Sequence, residues 1–217
     1  MFRSGTAEGK FALAALVNNP TDAVNTVMLT RIAQLFAFNT IHLAGQSNAL
    51  LITEDDLAQL GGWAWIKDAS SGTSLAVDWA PGGTLFDQLV ARYRSVDPNG
   101  RRDHALVWIQ GEADATFPEM APAYGANMIA WRTAFEAAVG RPVYMVDWLL
   151  HEDLNREYVE DVNAGKETHR AAFADRTSLQ DPTLLGALNG DLVHWSDALQ
   201  KAACAASRDE IEAYYTP

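Results

Sequence analysis

"HALVWIQGE", residues 104–112, is the stretch on which the reading of the chain turns. From Ala105 to Ile109 every side chain is apolar, with no alternation of apolar and polar positions. A strand with one wet face alternates, so an unbroken apolar run of this length reads as a strand buried on both faces. Such strands belong to parallel sheets covered by helices on either side. The run ends abruptly in Gln110, Gly111 and Glu112, a polar cluster placed where the strand would leave the sheet.

Working outward, the same pattern recurs. "TIHLAG" (40–45), "SLAVDW" (74–79) and "PVYMVDWLL" (142–150) read as further strands, and "TLLGAL" (183–188) as a last strand or a loop. "DLAQLGGWAWI" (56–66) is ambiguous because a Gly-Gly pair breaks it. Between them lie helical patterns. Thr84 caps a segment with Leu85, Phe86, Leu89, Val90 and Tyr93 on one face. Tyr124, Met128, Trp131, Phe135 and Val139 step by three and four, and Gly140 with Pro142 stops that helix. Residues 155–176 read as a charged helix interrupted at Gly165, and 196–215 as a closing helix capped by Ser196 or Asp197. Strands alternating with helices imply right-handed parallel crossovers. The expected fold is therefore α/β: a three-layer α/β/α sandwich with a mostly parallel central sheet, its site at the carboxyl ends of the strands. Residues 1–38 are expected to form an N-terminal helical extension packed on the domain, with Val24, Val27, Met28, Ile32 and Leu35 as its apolar face, and residues 39–217 the domain itself.

Composition narrows the partners. The 217 residues suit one domain with a full core. A formal net charge of −12 disfavours nucleic acid and anionic membranes. The lone Cys204 excludes an internal disulfide and any cysteine-cluster metal site, and the scattered histidines lack ligand spacing, so neither a metal nor another cofactor is expected. No apolar run is long enough to span a membrane. "FALAALV" (11–17) is short, has Glu8 ahead of it and "NNPTD" behind it, and reads as structure rather than a signal peptide. The cellular compartment stays open.

Three polar clusters fall at expected strand ends. Gly45-Gln46-Ser47-Asn48 follows the first strand. There a serine can present both its Oγ and its backbone N–H to an ester carbonyl. Taken alone, it reads more readily as a helix-capping turn. Gln110-Gly111-Glu112, with Asp114 close behind, offers a side-chain amide as an oxyanion donor, or simply a polar loop opening a helix. In "NGDLVHWSD" (189–197), Asp191 and His194 are three apart. On one tight turn the carboxylate reaches Nδ1–H and leaves the other nitrogen as a base. The Gly82-Gly83 pair before a helix supplies either a turn or another amide donor.

The order of these clusters is more specific than any one of them. "GQSN", "WIQGEADA" and the terminal D-x-x-H together resemble the SGNH (GDSL-like) hydrolase superfamily, a flavodoxin-like fold. Within it they are similar to the sialate O-acetylesterase and carbohydrate esterase family 6 branch. The resemblance covers roughly residues 39–205 and departs at Ala49, where members often have Met. It implies a serine esterase that removes O-acetyl groups from a carbohydrate. Ser47 would be the nucleophile, His194 the base and Asp191 its orienting acid. The oxyanion hole would comprise Ser47, Gly83 (or Gly82) and Gln110. Gln46, Asn48, Gly111 and Glu112 would support the site. Trp63, Trp65, Trp79 and Trp195 lie near the expected site loops and are the candidates for contacting a sugar ring, with packing of the catalytic loop as the other reading of Trp195. Two other readings stay open: a carbohydrate-binding or adhesion module without catalysis, and an SGNH lipase or thioesterase. The complete Ser47, Asp191 and His194 set speaks for catalysis, and the lack of a long apolar lid speaks against lipid.

Overall fold

The computed structural model describes residues 39–53, 57, 63–97 and 102–216. The expectations for residues 1–38 and most of "DLAQLGG" lie outside them. Five strands, β1 (Thr40–Gly45), β2 (Ala64–Ala69), β3 (His104–Ile109), β4 (Tyr144–Trp148) and β5 (Thr177–Gln180), form one sheet in the order β2-β1-β3-β4-β5. Every pairing is parallel. Helices α1 (Ser47–Leu51), α2 (Thr84–Val96), α3 (Tyr124–Val139), α4 (Val159–Ala172) and α5 (Asp197–Tyr215) connect and cover the strands.

The apolar run that opened the reading is buried on both faces. Leu106 and Trp108 pack with Phe86, Leu89, Met128, Trp131, Phe135 and Val162 from α2, α3 and α4. Ala105, Val107 and Ile109 pack with Ala49, Leu199, Ala203 and Ile211 from α1 and α5. The α/β sandwich expected from the sequence is thus the fold observed. The chain leaves β1 outward to β2, then crosses back to β3 on the other side of β1. That reversal places the end of β1 beside the end of β3, the crevice where open sheets bind ligands.

Local chemistry explains where the elements differ from expectation. "SLAVDW" is not a strand but a series of turns. Side-chain carboxylates capture the backbone amides a ladder would need: Asp78 Oδ2 accepts from Ser74 N (2.7 Å), and both oxygens of Asp114 accept from Leu75 N (3.1 Å each). The second strand is instead Ala64–Ala69, in register with β1 from Thr40↔Ala64 to Gly45↔Ala69. Helix α2 starts at Thr84 with Gly83, not Thr84, in the cap position. "TLLGAL" holds a short 3-10 turn (Pro182–Leu184), and the last strand is the more polar Thr177–Gln180 at the sheet edge. Helix α4 runs through Gly165 unbroken. A side chain there would meet Gly125 N of α3 at 2.7 Å, so glycine serves helix contact rather than interruption.

At the amino end of the sheet two buried imidazoles meet, His42 Nε2 and His104 Nδ1 being 3.3 Å apart, with His42 stacked on Tyr93. Burial above all holds both far below the ordinary value, helped at His42 by His104 and nearby arginines and at His104, which falls to about 3, by Arg141 against the pull of Asp97. A histidine held neutral in the fold contributes stability that is complete above the unfolded value of about 6.5. That stability is lost as pH falls through this value towards the folded one. Asp68, pushed up to about 6 by burial against the pull of Arg92, acts in the opposite direction. The loss of melting temperature between pH 7 and pH 5 should therefore be shallower in His104→Asn than in the parent. Identical slopes in thermal scans would refute this linkage.

Candidate active site

The first cluster sits where β1 turns into α1. Gly45 has φ of +139° and lies so close to β3 that a Cβ would meet Ile109 O at 1.8 Å. Gln46 N donates to that same oxygen at 2.9 Å. Ser47 follows as the first residue of α1, so its N–H has no partner within the helix. Gln46 Oε1 accepts from Ala113 N (3.3 Å) and ties this turn to the connection after β3.

Asp191 and His194 stand on a tight hairpin after β5. Its neck is a bridge between Leu188 and Trp195, and Asn189 N donates to His194 O at 2.7 Å. Asp191 Oδ1 accepts from the backbone N–H groups of Val193 and His194 (3.0 Å each), and His194 Nδ1 donates to Asp191 Oδ2 at 2.6 Å. These bonds, first those from the His194 backbone and ring, hold the Asp191 carboxyl well below the usual carboxylate range. With Nδ1–H engaged, the neutral ring has Nε2 as its proton acceptor.

Asn48 joins the two clusters. Its Nδ2 donates to Val193 O (3.2 Å), and its Oδ1 accepts from Trp195 N (2.9 Å), so one side chain grips the backbone on both sides of His194. The same Nδ2 donates to Glu112 Oε1 at 2.6 Å. Asn48 and Glu112 are both buried. Burial pushes the Glu112 carboxyl up, opposed by its own backbone N–H and by Asn48. His194 donates and accepts within its hairpin, and Ser47 Oγ is not among its hydrogen-bond partners within the described residues. Catalytic hydrogen bonds are commonly long before substrate binds.

The third cluster is more internally satisfied than its sequence suggests. Gln110 Nε2 donates to Thr73 O (3.1 Å) and Asp114 Oδ2 (2.7 Å), while its Oε1 accepts from Tyr124 OH (2.9 Å). Both amide hydrogens are therefore in use. Asp114, whose carboxyl is raised chiefly by burial, pins the loop after β2 through Leu75 N. Gly111, at φ of +121°, turns the chain out of β3. The Gly83 N–H donates to Ala80 O (2.8 Å), whereas Gly82 N–H has no backbone acceptor among the described residues. Of the two glycines, Gly82 has the amide to offer.

Sequence reasoning missed the partners that hold these groups. Tyr124 counted only as an apolar helix position, and Thr73 was not singled out. Their hydrogen bonds join segments that no local pattern connects. The tryptophan expectation is corrected. Trp65, Trp79 and Trp195 are buried, Trp79 against Trp108 and Trp195 against Trp148. Trp63 precedes β2, at the end of the sheet away from Ser47, and lies against Tyr215. Among the described residues no three His, Cys, Asp or Glu side chains could together hold a metal ion, and no helix is long and apolar enough to cross a membrane.

The order of the sheet and the two helical layers are those of a flavodoxin-like α/β sandwich, a fold that matches the SGNH hydrolases. A profile of the family described as carbohydrate esterase, sialic acid-specific acetylesterase matches residues 55–202, and the chain belongs to that family. It is a hydrolase acting on esters. The matched span begins after Ser47 and takes in Gln110, Glu112, Asp191 and His194. No curated protein sequence matches the chain. Among solved structures it is similar to a protein from Arabidopsis thaliana (TM-score 0.64, 18% identity, 74% of this chain and 67% of that one). It is also similar to Est24, a carbohydrate acetylesterase from Sinorhizobium meliloti (0.56, 14%, 81% and 99%). A third is an aryl esterase from M. smegmatis (0.55, 13%, 81% and 99%). At these identities the likeness is one of fold.

Proposed function

We propose that this protein removes O-acetyl groups from a carbohydrate through a serine nucleophile and an acyl-enzyme. The observation that carries the reading is Asn48: the residue next to Ser47 grips the backbone on both sides of His194, whose ring is already oriented by Asp191. His194 Nε2 takes the Ser47 proton as Oγ attacks the acetyl carbonyl. Asp191 keeps Nδ1–H in place and stabilises the imidazolium that forms. The tetrahedral oxyanion is met by the Ser47 N–H and an amide of the Gly82-Gly83 turn. Gln110 joins them only if its amide releases Thr73 O or Asp114. His194 then hands its proton to the departing sugar oxygen and leaves the acetyl group on Ser47. Water, losing its proton to His194, releases acetate and restores the serine.

Family membership and the Asp191–His194 pair support an ester hydrolase, and the family's description supports an acetylated sugar. The test is acetate release from O-acetylated glycans and from p-nitrophenyl acetate by the purified protein. Release from both is expected. Release from neither ends the catalytic reading, and release from the aryl ester alone moves the substrate away from sugars.

Asn48 provides a separate check. In Asn48→Ala, turnover should fall about a hundredfold, the cost of a misplacement near 1 Å in the reacting groups. The melting temperature should fall as well, because Trp195 N–H and the Glu112 carboxyl lose a buried partner, at about 1–3 kcal/mol. Full turnover in the variant would remove Asn48 from the mechanism.

A further inference from the structure

We propose that Asp114 is a positioning residue for the oxyanion hole: its carboxylate aims the Gln110 amide and ties it to the loop that leads to the Gly82-Gly83 turn. This rests on the esterase reading above and goes beyond it, giving a role to a group outside the Ser47, His194 and Asp191 set. Asp114 opens the 3-10 turn Asp114–Thr116 after β3 and is only 1% exposed. Its Oδ2 accepts from Gln110 Nε2 at 2.7 Å, and both of its oxygens accept from Leu75 N at 3.1 Å. Gln110 Nε2 reaches the same loop at Thr73 O, 3.1 Å away. That loop is anchored in the core by the buried Trp79, whose Nε1 donates to Thr73 Oγ1 at 3.0 Å. Asp114 and Gln110 thus join the connection after β2 to the connection after β3.

Exchanging the oxygen and nitrogen of a glutamine amide leaves its outline unchanged, so its partners decide which way it faces. Tyr124 OH, 2.9 Å from Gln110 Oε1, does not decide it. A phenol donates to an oxygen and accepts from an NH2 group equally well. A carboxylate and a carbonyl accept only, so Asp114 and Thr73 O both demand the NH2 end. Among the described residues every hydrogen-bond partner of the Asp114 carboxylate is an N–H donor, which suits its ionised form. Burial raises this carboxyl, and the Gln110 amide and the Leu75 N–H draw it back. The bond to Asp114 is the shorter one and is charge-assisted, while the bond to Thr73 O joins neutral groups. The hydrogen on Thr73 O is therefore the one that turns to the oxyanion. Once it turns, Asp114 alone keeps the NH2 end in place.

The experiment measures hydrolysis of p-nitrophenyl acetate and inhibition by phenylboronic acid, which forms a tetrahedral adduct on a serine. Asp114→Asn puts one NH2 group where the carboxylate has an oxygen and so permits the flipped amide. Its kcat should fall about a hundredfold, the low end for loss of one oxyanion donor, with KM little changed. Its affinity for the boronate should fall by the same factor. A variant that only folds less well would lose active sites and keep that affinity. Tyr124→Phe should lose no more than about tenfold, the worth of one neutral hydrogen bond. An unchanged kcat in Asp114→Asn, or a lowered kcat with undiminished boronate affinity, overturns the inference and leaves the esterase reading intact. If Asp114→Asn does not fold, Tyr124→Phe decides: a loss of about tenfold or less supports Asp114 as the group that orients the amide, and a larger one overturns it. A parent protein without turnover defeats both readings.

Discussion

Ser47→Ala should abolish ester hydrolysis, with kcat reduced by on the order of a thousandfold or more, while the protein melts where the parent does. The two halves of this expectation have different origins. Ser47 is the only hydroxyl on the turn between β1 and α1, and no other side chain can form the acyl-enzyme there. Any residual rate would come from substrate binding and the oxyanion donors alone. Stability should hold because Ser47 Oγ has no hydrogen-bond partner among the described residues, whereas its neighbours Gln46 and Asn48 carry the contacts that close the site. Steady-state kinetics with p-nitrophenyl acetate, together with mass spectrometry of the protein during turnover, check both parts. The parent should carry a transient acetyl group on Ser47 and the variant none. Retained turnover in Ser47→Ala would remove the nucleophile assignment.

Gly45→Ala is expected to prevent stable folding, at a cost above about 4 kcal/mol, in the range reserved for single changes with a severe structural cause. The new Cβ would sit 1.8 Å from Ile109 O, a backbone atom fixed in the register of β1 with β3. Backbone cannot rotate away as a side-chain tip can, and φ of +139° adds strain for any L side chain. Gly140→Ala is the control. It also has positive φ, at +79°, but nothing lies within 4 Å of its Cβ. It should lose only about 1–2 kcal/mol for the left-handed conformation. Urea unfolding of the two variants separates steric from conformational cost. Equal losses would mean that close approach of the strands is not what requires glycine at 45.

Several parts of this molecule were legible in the order of residues alone. The uninterrupted apolar run of β3, and the mostly apolar runs of β1 and β4, broken by His42 and Asp147, announced strands with two buried faces, because a doubly covered parallel sheet removes the need for alternation. The helix spacing of α3 and its glycine stop were equally plain, since local periodicity and a left-handed cap are properties of neighbouring residues. The Asp191–His194 contact also followed from spacing, because a span of three residues closes on one turn.

Other parts were decided by contacts between distant segments. "SLAVDW" has strand composition, yet Asp114, 39 residues after Leu75, takes the amide that a ladder would have used. β5 escaped notice because an edge strand of four residues needs little apolar character. Lys166 reads as one charge in a charged helix, but it is fully buried at 2.7 Å from Asp147. There, burial pushes the carboxyl up, and Lys166 and His169 outweigh it and hold it low. The lone Asp147 in an apolar strand was the visible half of that pair. By itself the sequence determined the layers of the fold and the residue types of its chemistry, because periodicity and short-range spacing are local. Only the tertiary structure decided that Gln110 spends both amide hydrogens inside the protein and that the tryptophans turn inward. It likewise decided that Asn48 binds the serine turn to the histidine hairpin across 145 residues, since each depends on groups that meet only when the sheet closes.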